Sequence, residues 1–256
     1  MTPRQPHPFQ PFIKTTMKTS SSYGAHTPQH SRALSVMLIV VGLLSFVPVV
    51  ILGAAIGWPA SLGKPAGEQL SAIAANANAV TLGYGVYLLY SVLIAPVMVM
   101  LAGRVFGGFL RPVAVCVAVF AALSTLARCI GILRWLTVMP ELATAHAAAD
   151  PAGRATVELV FNAVHSYGGG IGEILGVGLF MALSVGTLSV AAWRDADKPG
   201  SMPKWLAALG MVSTALMASM LFESLRIPID VPVAIVVTVL TVWMFAAGVW
   251  AWRASR

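Results

Sequence analysis

The chain has 256 residues, of which 58% are hydrophobic and 10% charged, and its mean hydropathy is +0.83. Soluble domains carry roughly 25% charged residues, so this chain lacks the polar surface of a water-soluble fold, and its apolar residues come in unbroken runs rather than periodic faces. The net charge of +7 does not point to nucleic acid, because the 16 basic residues stand singly at the ends of those runs instead of forming a patch.

The first segment, Met1 to Arg32, is rich in Pro, Ser, Thr and His and carries Arg4, Lys14, Lys18 and Arg32 with no acid. It reads as a disordered basic tail, with Met17 as an alternative start. From Arg32 to Lys64 the chain is uncharged, a run far longer than the roughly 7 to 15 residues of a secretory signal core. It is read as an uncleaved membrane helix over Ala33 to Gly57, with a kink expected near Pro48.

Further charge-free runs, roughly 16 to 35 residues long against the ~20 that cross the hydrocarbon, place spans at Val80 to Gly103, Val113 to Trp135, Ile171 to Trp193, Trp205 to Phe222 and Val231 to Trp252. An unpaired backbone amide costs several kcal/mol in lipid, so a span is a helix or part of a closed barrel. Apolar runs without two-residue alternation exclude the barrel. The expected fold is therefore all-α, a polytopic bundle of six transmembrane helices over residues 33–256.

Basic residues are retained on the cytoplasmic side during insertion. Most of them fall in the tail, at Arg104 and Arg111, at Arg194, Lys198 and Lys204, and at Arg253 and Arg256. This predicts a plasma-membrane protein with both termini cytoplasmic. The two longest outer loops lie near residues 58–79 and 140–168. Alanines in the first suit a short interfacial helix. In the second, Asp150 and Pro151 supply an N-cap and a first-turn proline. Val157, Val160, Phe161 and Val164 then form an apolar stripe, with Arg154, Glu158, Asn162 and His165 opposite. Gly168, Gly169 and Gly170 decide whether this helix lies flat or runs on into the fourth span, since they weaken it and permit a hinge.

Ionisable groups in a span are costly, by about 2.5 to 3.5 kcal/mol at mid-helix, and are functional candidates for that reason. Counted at 1.5 Å per residue from the cytoplasmic ends, Arg128, Tyr87, Glu223, Tyr84, Glu173 and Arg134 all fall at about 22 to 32 Å, one layer toward the outer leaflet. The functional reading is a pocket built from Arg128, Glu173, Tyr84 and Tyr87, with Arg134, Glu223 and His165 nearby. The competing reading is a structural ion pair between Arg128 and Glu173, with Arg134 and Glu223 reaching interfacial water. Arg128 and Arg134 stand about 240° apart around a helix and are not expected to share a partner.

Glycines at four-residue spacing, Gly168, Gly172 and Gly176, would let a neighbouring helix approach closely. Trp135, Trp193, Trp205, Trp250 and Trp252 stand at span ends and read as interfacial anchors. Cys116 and Cys129 lie about 20 Å apart on one helix, too far for a disulfide. No histidine sits in mid-span, so a haem ligated within the bundle is not expected. Glu141, His146, Glu158 and His165 match no metal-ligand motif. No phosphate loop or nucleophile elbow occurs, and neither a cofactor, a metal nor a catalytic residue is expected.

The stretch ARCIGILRWLTVMPE from Ala127 to Glu141, with VFNAVHSYGGGIGE from Val160 to Glu173, resembles a family of bacterial integral membrane proteins catalogued only as a domain of unknown function. The resemblance covers most of the chain after the tail, implies a bundle of about six helices and carries no catalytic residues. Three function classes follow. A non-enzymatic structural or partner-binding protein ranks first, with a homo-oligomer or another membrane protein as partner beside the lipid bilayer. A small-molecule or ion transporter or binding protein with a polar site in the outer leaflet ranks second, although no internal repeat supports transport. An enzyme acting on a lipid-like substrate ranks last, because no nucleophile and base pair is visible.

Overall fold

The structure is a computed structural model and describes residues 28–108, 111–224, 227 and 231–254. All its regular elements are helical, and six stretches are long and apolar enough to cross a membrane. The protein is a multi-pass membrane protein.

Helix α1, Pro28–Ile56, begins five residues before the expected Ala33 and runs through Pro48 as one helix. The rest of the segment read as a tail lies outside the described residues. A 3-10 turn, Ala60–Gly63, and a short helix α2, Ala66–Ala75, lead into α3, Ala77–Phe106. Helix α4, Pro112–Leu136, is followed after Thr137 alone by α5, Val138–Ala148. Helix α6, Pro151–Gly169, starts on the expected cap, with Asp150 Oδ1 accepting from the Gly153 amide at 2.7 Å. It continues without a break through a π-helical segment, Gly170–Met181, into α7, Ala182–Asp195. The glycines 168–170 thus carry the helix on into the fourth span. Helices α8, Lys204–Ser224, and α9, Val233–Arg253, complete the chain.

The long helices close into a ring. Helix α3 packs on α1 and α4, α4 on the π segment and α7, these on α8, α8 on α9, and α9 on α1. Leu38, Val97, Leu101, Val185, Leu206 and Trp243 fill the interior, while Val36, Leu43, Val50, Leu126, Val212 and Val242 point outward. A soluble protein would bury that outer surface; here lipid covers it. Hydroxyls join the helices, as expected where lipid offers no hydrogen bonds. Ser35 donates to the Gly248 carbonyl at 2.7 Å, Ser184 to that of Val117 at 2.9 Å, and Ser45 meets Thr241 at 3.0 Å.

The Ser35–Gly248 bond places the start of α1 beside the end of α9. Arg104 reaches the Gly200 carbonyl at 3.4 Å and lies 5.0 Å over the Trp250 ring, so the α3–α4 and α7–α8 turns share that end. At the opposite end α2, α5 and the first half of α6 form a cap with its own core, including Leu70, Ile73, Met139 and Phe161. The alanine-rich α2 is part of this packing, with Leu70 and Ile73 buried. The stripe on α6 is rotated from the expected one. Phe161 is buried and Val160 exposed, while Glu158 turns inward to His146 at 2.9 Å.

Candidate functional site

The glycines set the geometry between α4 and the π segment. A Cβ on Gly131 would lie 2.7 Å from the Gly172 Cα and 2.9 Å from the Gly168 carbonyl oxygen, so the two backbones touch there. On either side of that contact the missing side chains make room for arginine stems. A Cβ on Gly176 would meet Arg128 Cγ at 2.7 Å, and one on Gly168 would meet Arg134 Cδ at 2.6 Å. Ser124 Oγ donates to the Gly176 carbonyl at 2.6 Å. Glu173, on the π segment, lines the same cavity as both arginines, and such segments recur at functional sites.

The two guanidinium groups point to different partners, as their angular separation on α4 predicts. Arg128 lies 4.7 Å over the Tyr90 ring and 5.7 Å over that of Tyr87. Arg134 lies 5.4 Å over Trp135 and donates from Nη1 to the Gly131 carbonyl at 2.7 Å. Glu173 stands within electrostatic reach of Arg134, Tyr84 and Tyr87. Tyr84 stacks flat on Trp135, with centroids 4.7 Å apart, and His165 meets the edge of Trp135 while stacking on Phe161. Arg128, Arg134 and Tyr84 are only 4%, 8% and 2% exposed. The Nε atoms of both arginines and the Tyr84 hydroxyl are nonetheless buried without a hydrogen-bond partner.

Tyr84, Tyr87, Arg128, Arg134 and Glu173 line one cavity of about 60 Å³. Through Arg134 and Glu173 it adjoins a groove of about 1090 Å³ that also takes in His165, and through Arg128 and Tyr87 an inner apolar pocket of about 30 Å³. Glu223 lies in the last turn of α8, and its side chain is outside the described residues. No three of His, Cys, Asp and Glu gather among the described residues; His146 and Glu158 meet in the cap, and His165 is stacked elsewhere.

The match to a family described as a domain of unknown function, DUF4386, runs over residues 33–250. The chain belongs to that family. Searches of the curated proteins and of the solved structures found no match. The family match takes in all six membrane helices, and with them the glycine contact and the chamber.

Two aromatic residues packed around the arginines, Tyr90 and Trp135, were missed in the sequence. Tyr90 presents the nearer ring to Arg128 and stands three residues after Tyr87, a spacing that puts it on the same helix face. Ser91, the residue after Tyr90, donates to the Tyr87 carbonyl at 2.9 Å. Trp135 is the second. Read as an interfacial anchor, it is 3% exposed and lies under the cap. Trp193, Trp205 and Trp252 are exposed at helix ends, as anchors should be.

Proposed function

We propose that this protein is a small-molecule-binding protein of the plasma membrane, with both termini cytoplasmic and the chamber beneath its cap receiving an anionic group from the outer side. The observation that carries this reading is the pair of buried arginines, each with an unpartnered Nε, on a cavity that leads into a groove. A buried donor left unmade costs about 1 to 3 kcal/mol, and a charge in a span costs more. Apolar side chains of similar volume would pack a purely structural bundle at least as stably. Acceptors of a bound anion would satisfy the same donors. Among the described residues, Arg128 and Arg134 stand against Glu173 alone, and the resulting positive formal charge favours such a ligand.

The test is a melting experiment on the purified chain in neutral detergent. Acetate or formate at fixed ionic strength should raise the melting temperature saturably over chloride, as preferential binding to the folded state requires. Arg128→Gln and Arg134→Gln should lose that response while melting, without ligand, at or above the parent temperature. A parent indifferent to every anion, with both variants strongly destabilised, would assign the arginines to packing alone.

The orientation rests on the distribution of basic residues along the sequence, with Arg104, Arg194, Lys198 and Arg253 at the end where α1 starts and α9 stops. Reporter domains fused after Lys198 and after Pro65 should report opposite compartments, the first cytoplasmic. Signals from one compartment would overturn the proposed topology.

A further inference from the structure

We infer that the ligand is a single-chain amphiphile, its carboxylate-sized monoanionic head held in the chamber and its apolar chain laid in the groove between the π segment and the helices α8 and α9. This rests on the reading that the chamber binds an anion, and it adds what is attached to that anion.

Size sets the head. A cavity of about 60 Å³ admits a few water-sized groups, enough for a carboxylate and too little for a sugar or a nucleobase. Charge sets its valence, because among the described residues two guanidinium groups and one carboxylate leave one positive charge at the site. The rings of Trp58, Tyr84 and Tyr87 wall the rest of the chamber with apolar surface.

The groove sets the chain. At about 1090 Å³ it slightly exceeds the range of sites for drug-sized ligands, about 300 to 1,000 Å³, and is far more than a free inorganic or short-chain anion would use. Ile174, Met220, Val231, Val233 and Ala234 give it an apolar wall, while its ionisable groups, Arg134, His165 and Glu173, come from α4, α6 and the π segment, and Ser166 and Ser219 add hydroxyls. Met220 and Val233 line both spaces, so the groove begins where the chamber ends. The inner pocket beyond Tyr90, about 30 Å³, is too small for a chain, so the tail runs outward along the groove. The helices bordering the groove are themselves lipid-facing, with Val212 and Phe222 of α8 and Ile235 and Val242 of α9 turned outward. The chain is inferred to reach the groove from the bilayer past these helices.

The experiment measures binding to the full chain in nonionic micelles by melting shift and by quenching of tryptophan fluorescence with a brominated long-chain acid. Palmitate should bind at least tenfold more tightly than acetate, and hexadecanol at least tenfold more weakly than palmitate. Arg134→Gln should weaken palmitate tenfold or more. Ala234→Trp, which fills the groove at an exposed position away from the chamber, should weaken palmitate and leave acetate unchanged. Equal affinity for acetate and palmitate would overturn the inference and leave the anion chamber standing. Equal affinity for palmitate and hexadecanol would reduce the groove to unspecific partition and overturn it too. Tighter binding of phosphatidylglycerol than of palmitate would overturn the carboxylate-sized, single-chain assignment. No response to any acid removes both readings. Should either variant fail to fold, the comparison of acetate, palmitate, hexadecanol and phosphatidylglycerol on the parent chain decides.

Discussion

Gly131→Leu is expected to abolish the folded bundle, and Gly131→Ala to lower its melting temperature by about 5 to 10 °C. The reason is that the obstacle is backbone. A methyl at residue 131 would stand 2.7 Å from the Gly172 Cα and about as close to the Gly168 carbonyl, and neither can rotate away as a side chain would. Overpacking of this kind costs about 1 to 3 kcal/mol for small insertions and more for large ones. For a chain of this size each kcal/mol is worth about 2 to 4 °C. The damage has no alternative outlet, because apolar association in lipid depends on close packing rather than on escape from water. Parting α4 from the π segment would also withdraw Gly168 and Gly176 from the stems of Arg134 and Arg128, so ligand response should fall even where Gly131→Ala remains folded. Gly85→Ala is the control, with open space around that position, and should melt within about 2 °C of the parent. A Gly131→Leu protein that purifies and melts normally would show that the contact contributes nothing to assembly.

Those two helices also show what the amino-acid sequence could and could not reveal. Their existence was legible because lipid imposes a rule on each segment separately, that a run of apolar residues must satisfy its own amides as a helix. The layer of Tyr84, Tyr87, Arg128, Arg134 and Glu173 was legible for a related reason, since depth along a helix is a matter of counting. What counting cannot supply is rotation and tertiary cover. Gly168 to Gly170 lower helix propensity, yet packing against Arg134 and Gly131 outweighs it and the rod continues. Arg128 turns to Tyr87 and Tyr90, while Glu173, on the π segment, stands within electrostatic reach of Arg134. The cap is assembled from segments far apart in the chain, so no local signal near Trp135 marks it as interior.

Trp135→Ala should open the cap while leaving the membrane helices assembled. The indole is 3% exposed, stacks flat on Tyr84, meets His165 at nearly a right angle and shares a core with Ile132 and Met139. Removing a buried tryptophan costs about 3 to 5 kcal/mol, of which each aromatic contact accounts for about 0.5 to 1.5. The cap carries charge on its outer faces, including the exposed Lys64–Glu68 pair at 3.9 Å, so its core is shielded from water and the hydrophobic effect acts there in full. The bundle below has lipid for solvent and a separate core and does not depend on this side chain. The loss should therefore appear as local opening, about a hundredfold or more in the equilibrium between closed and open cap. Limited trypsin digestion reads this directly. Cleavage after Arg154, which lies in the first turns of α6, should accelerate by a similar factor, and the two fragments should still migrate together in mild detergent. Trp193→Ala, at an exposed helix end, should leave the digestion unchanged. Cleavage at the parental rate in the Trp135 variant would mean that the cap is held by α2, α5 and α6 alone. The wall of the chamber would then be independent of the indole, and Tyr84 would have to be positioned by α3 without it.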